Sequence, residues 1–163
     1  MKNGDRSCPE SSEHKKDENA GEKAASALRE GIAAGLSKEA LDNLLWQAVI
    51  AFQGHRLYTA SGLAFDYCVK RGQNGRYSGE MLISRRESSK PLTKSSILLA
   101  FHKVLPELLP ADEGAALRRP LYAGPKAIGQ IFGISYIYSL FWNMGLTRVP
   151  EKVEEKLRSG VIN

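Results

Sequence analysis

The chain has 163 residues, 42% of them hydrophobic and 25% charged, with a formal net charge of +5. That length suits one domain with a core large enough to dispense with crosslinks. Two cysteines, Cys8 and Cys68, make no disulfide framework, so a scaffold that depends on one is excluded and a reducing, cytoplasmic setting is expected.

Residues 1–22 are polar and highly charged and cannot bury enough apolar surface to offset the entropy of ordering. They are expected to form a disordered tail, without the apolar stretch of a signal peptide, ahead of a single domain over residues 23–163. Ala25, Leu28 and Ile32 have helical spacing, and Gly35 suits the left-handed position that closes such a helix. Ser37 then reads as the N-cap of a second helix. Its apolar residues Leu41, Leu44, Leu45, Ala48, Val49 and Phe52 give the strongest helical period in the chain, and Gly54 ends it.

A segment of period two follows. Leu63, Phe65, Tyr67 and Val69 fall on one face, with Ala64, Asp66, Cys68 and Lys70 on the other. Residues 71–79 (RGQNGRYSG) are turn chemistry centred on Asn-Gly, and residues 80–86 read as the returning strand of a β-hairpin. Thr93 caps a third predicted helix over residues 94–105, with Ile97, Ala100, Phe101 and Val104 facing inward. Pro106 bends it or ends it, and Pro110 stops it. Residues 110–123 read as a linker.

Residues 127–146 carry no charged side chain. Length and apolarity meet the crude requirement for a membrane span, but Gln130, Ser135, Ser139, Asn143 and the glycines argue against one. Lys126 and Arg148 flank the stretch on both sides, so no orientation bias is visible. A buried core element is the favoured reading, as one helix or as two short ones turning at Gly133. Gly129, Gly133, Ile134 and Ser135 also fit the first half of a helix-turn-helix. The second half fits poorly, with Ser139 where an aliphatic belongs and no Arg or Lys to read bases. Pro150 opens a last helix over residues 151–158, with Gly160 after it.

The positive charge is concentrated. Residues 69–103 hold Lys70, Arg71, Arg76, Arg85, Arg86, Lys90, Lys94 and Lys103 against Glu80 and Glu87, eight minus two, a net of +6. Cations at the tip and exit of a hairpin suit a phosphate backbone, with salt-dependent affinity. Lys90, Thr93 and Lys94 stand at a helix N-terminus, whose amides suit phosphate too, and Tyr77 is placed to stack on a base. The plainer alternative is a solvated basic face. Catalysis finds little support: His14, His55 and His102 lack acidic or thiol partners at ligand spacing, so neither a metal nor a catalytic residue is expected. No phosphate-binding loop or nucleophile elbow points to a cofactor or a covalent mechanism. Arg85-Arg86-Glu87-Ser88 has the charge pattern of a kinase target.

Residues 61–67 (SGLAFDY), 84–87 (SRRE), Gly124-Pro125-Lys126 and Gly133-Ile134-Ser135-Tyr136-Ile137-Tyr138 resemble a group of small proteins of gut Clostridia and their mobile elements, over about residues 57–146. No activity or site attaches to that group, so it implies no residue roles. It implies a mobile-element accessory protein, a type often associated with DNA or inhibitory to host defence, as phage and anti-CRISPR proteins are.

The expected fold is α+β: N-terminal helices, one β-hairpin, and two or three helices packed on it. Leu63, Phe65, Tyr67, Met81 and Ile83 should meet Leu41, Leu45, Phe52, Ile97 and Phe101. The expected function is non-enzymatic nucleic-acid binding, DNA or RNA, through Arg71, Arg76, Tyr77, Arg85, Arg86, Lys90, Thr93 and Lys94, with no membrane, metal or cofactor. The alternative partner is a nucleic-acid-handling enzyme of host defence that the protein inhibits by binding it.

Overall fold

A computed structural model describes residues 19–84, 91–112 and 115–160. Residues 1–18, with Cys8 and His14, lie outside it, as do Arg85, Arg86, Glu87, Ser88 and Lys90. The architecture is α+β. Two helices, α1 (Ala20–Ala33) and α2 (Lys38–Ala51), precede a short ribbon of β1 (Leu57–Tyr58) and β2 (Ala64–Phe65). A three-stranded antiparallel sheet follows, β3 (Tyr67–Arg71), β4 (Tyr77–Ile83) and β5 (Leu92–Thr93), in the order β3-β4-β5. The helices α3 (Lys94–Leu108), α4 (Ile134–Asn143) and α5 (Glu151–Ser159) complete the chain.

Local chemistry sets the element ends. The Ser37 hydroxyl accepts the Ala40 N–H at 3.1 Å and that of Thr93 accepts the Ser96 N–H at 3.2 Å, which caps α2 and α3. Gly35 takes φ +75° after α1, where the Leu36 N–H bonds the Gly31 carbonyl and the Gly35 N–H that of Ile32. This paired closure uses carbonyls that the helix end leaves unbonded. α1 starts at Ala20, so part of the expected tail is its first turn, and Gly21 packs under Phe52. α3 continues through Pro106 to Leu108. A proline there removes the N–H that would bond the His102 carbonyl and crowds that carbonyl with its ring, a disruption confined to the last turn of the helix.

The period-two segment divides at Asp66 into β2 and β3. The core face of the sheet carries Tyr67 and Val69 opposite Ile83 and Met81, all buried. Leu63 departs from expectation: it lies in the β1–β2 turn, 46% exposed, and its alternation with Phe65 does not reach the core. β4 begins at Tyr77 and not at residue 80, because the turn closes tightly over residues 72–76. There the Gly72 N–H bonds the Arg76 carbonyl, Gly75 adopts φ +81° and Asn74 Oδ1 accepts the Arg76 N–H at 2.9 Å.

The apolar stretch is core. Ile137, Tyr138, Phe141, Met144 and Leu146 have no exposed surface and pack in one cluster with Leu28, Leu45, Val49, Ile97 and Phe101. Only Pro125–Ala127 winds into a 3₁₀ turn before Gly133, so the paired helices of a helix-turn-helix do not form. Gly129 instead lies against the stem of Lys103, and Gly133, at φ +77°, opens α4 beside Leu92. Among the described residues no helix is long and apolar enough to cross a membrane. Cys68 is buried on β3 and disulfide-bonded, which departs from the reducing setting expected of a chain with two cysteines.

Candidate nucleic-acid interface

Four described cations of the basic block lie at the turn end of the three-stranded sheet, while Lys103 stands further along α3 against Gly129. Lys70 and Arg71 end β3, Arg76 sits in the turn, and Lys94 is the first residue of α3, directly after β5. The register pairs Glu80 with Thr93. A Cβ added to Gly79 would therefore meet Lys94 Cβ at 3.3 Å, which brings the start of α3 against the hairpin two residues from Tyr77. Residues 71–76 are all exposed.

Much of this chemistry is already engaged internally. Arg71 stacks its guanidinium 4.2 Å above the Tyr77 ring. It donates to the Gly75 carbonyl at 2.7 Å and to the Tyr77 hydroxyl at 2.9 Å. Gln53 Nε2, at the end of α2, donates to the same hydroxyl at 3.2 Å while its Oε1 accepts the Val69 N–H at 3.0 Å. Arg71 thus braces the turn, and Tyr77 is a half-buried strut against the core; the open stacking surface expected of it is absent. The hydroxyl of Thr93 is taken by its cap. Lys70 pairs with Glu80 at 3.6 Å, an exposed contact of little energetic weight. Lys94 Nζ lies 5.3 Å from the Trp46 ring centroid. Among the described residues Arg76 forms no ion pair, and no acid occupies the first turn of α3.

The exit of the hairpin is elsewhere. Tyr67 pairs with Ile83 at the end of the sheet far from the turn. Ile83, the last residue of β4 before Arg85, Arg86 and Lys90 in the sequence, is six residues or about 20 Å along the strand from Tyr77. Of the eight expected contact residues, Arg71, Arg76, Tyr77, Thr93 and Lys94 are brought together, and the remaining three lie outside the described residues.

Chemistry of other kinds finds no better site. A cleft of about 840 Å³ runs between the β1–β2 turn, residues 123–127 and the start of α4. Its one buried hydroxyl, Thr59, is used by Ser61 Oγ and the Leu63 N–H, each at 3.1 Å. His102 Nε2 lies 2.8 Å from Asp42 Oδ1, a partner on α2 that sequence spacing could not show because 60 residues separate the two. Among the described residues no group of three His, Cys, Asp or Glu side chains is placed to hold a metal. No family model, curated protein or solved structure matches the chain.

Proposed function

We propose that the protein is a non-enzymatic mobile-element accessory factor that binds nucleic acid at the turn end of its hairpin. The observation that carries this reading is that Arg76, in an exposed turn braced by Arg71, and Lys94, the first residue of α3 and packed against Gly79 of the same hairpin, stand at one end of the sheet. A braced turn presents charge without a large ordering cost on binding, and the acid-free start of α3 adds the partial positive charge of a helix end. Arg85, Arg86 and Lys90 extend the same positive block in sequence.

The test is the affinity of the purified protein for labelled DNA and RNA at two salt concentrations, beside an Arg76→Glu variant. Support is binding that weakens with salt in the wild type and a flatter salt slope in the variant. An unchanged slope removes Arg76 from the interface and counts against the turn end as the binding surface. Absence of binding to any nucleic acid, with a complex forming only when a nuclease is added, overturns the proposal in favour of an inhibitor of that enzyme.

A further inference from the structure

Resting on the reading of the turn end as a phosphate-contacting surface, we infer that the partner is a double-stranded nucleic acid held by its backbones, not a single strand whose bases stack on the protein. Proteins that track single strands offer a series of open aromatic faces to successive bases. The two aromatic rings at this surface, Tyr77 and Trp46, are both closed. Arg71 covers Tyr77 at 4.2 Å, and two hydrogen bonds hold it there. Gln53 ties the phenol from beneath, where the ring packs on the core. Trp46 is 7% exposed, with Lys94 above it. Opening Tyr77 would break the contacts that shape the turn. The planar groups left at the turn are the guanidinium groups of Arg71 and Arg76, and Arg71 is tied down by its two hydrogen bonds, whereas a tracked strand needs an open platform for each base.

The backbone layout suits a duplex. β3 and β5 flank β4, so Lys70 and Lys94 stand on either side of it, about two strand spacings or ~10 Å apart. Arg76 lies ahead of both in the turn. This span, measured across the three backbones, is close to that of a groove about 12 Å across, so the turn of β3 and β4 can point between the two phosphate rows with a lysine toward each. Two polar side chains of the turn are committed to the turn itself, Asn74 to the Arg76 N–H and Arg71 to Gly75 and Tyr77. Contact through Lys70, Arg76 and Lys94 is with phosphate, which positions a duplex without reading its bases.

The experiment measures anisotropy of a labelled mixed-sequence duplex and of its single strand, at 50 and 200 mM salt, for the wild type and for Arg76→Glu combined with Lys94→Glu. Separate DNA and RNA duplexes distinguish the two sources of the backbone. The expected result is at least tenfold tighter binding to duplex. Loss of two phosphate contacts should also make the variant's weakening over that salt range about twelvefold smaller than the wild type's, from a slope near −0.9 per contact. Arg76→Glu alone, at an exposed turn position, gives a smaller change of the same sign and serves if the double variant fails to fold. Equal or tighter binding to the single strand overturns this inference and leaves the nucleic-acid reading intact. Binding to neither overturns both.

Discussion

Thr147 Oγ1 is buried without a hydrogen-bond partner, in a residue with no exposed surface. A hydroxyl stranded in this way costs about 1–3 kcal/mol relative to a paired one. Thr147→Val keeps the shape and removes the polar atom, so it should leave stability unchanged or raise it by about 1 kcal/mol, read from the urea midpoint; a loss above that would show that the hydroxyl is satisfied in solution. Three phenols set the alkaline limit. Burial pushes Tyr67 well up and Tyr138 up to about 12, and burial reinforced by the Glu107 carboxylate raises Tyr122. Each is held neutral in the fold, whereas an unfolded phenol ionises near about 10. The stability they carry is whole below pH ~10. It falls as pH rises and is gone once the folded values are passed, about 12 for Tyr138. Urea midpoints at pH 9 and pH 11 should show the drop, and equal midpoints would contradict it.

At the scale of elements, the caps and turns carry consequences that separate structure from binding. The Thr93 hydroxyl is engaged by Ser96, so Thr93→Ala should cost about 1 kcal/mol of stability and leave the affinity of the folded protein for nucleic acid unchanged. A loss of affinity at unchanged salt slope would make Thr93 a ligand. Gly133→Ala forces a side chain into a left-handed conformation and brings its Cβ to 2.5 Å from Leu92 Cδ1. A loss of at least about 2 kcal/mol is expected by thermal or urea unfolding, and a smaller one would mean that the start of α4 shifts cheaply. The helices were legible in the sequence because their information is local: Ser37, Gly35, Thr93 and the spacing of Leu41, Leu45 and Val49 act within a turn or two. The two-residue strands β1 and β5 were not, since each is defined only by its pairing with a distant partner. Leu63 was misplaced for the same reason, because alternation reports a face but not where the strand breaks.

For the whole molecule, the apolar stretch is the core on which the sheet and helices pack, and that role was readable from its lack of charge. The site was only partly readable. The charge block showed where cations concentrate along the chain. It did not show that Arg71 braces the turn, that Tyr77 is covered, or that the two ends of β4 are about 20 Å apart. These depend on the Gln53–Tyr77 and Arg71–Tyr77 contacts and on the strand register, and no spacing rule encodes them. What remains is a compact surface of few cations, so modest affinity and a shallow salt slope are expected.

The most direct measurement is a map of backbone amide shifts when a short duplex is added to isotope-labelled protein. Shifts concentrated at residues 70–79 and 93–96, fading as salt is raised and absent from the cleft at residues 59–63 and 123–136, are the expected result. Shifts confined to that cleft, or no shifts at any salt, would contradict a nucleic-acid interface at the hairpin's turn.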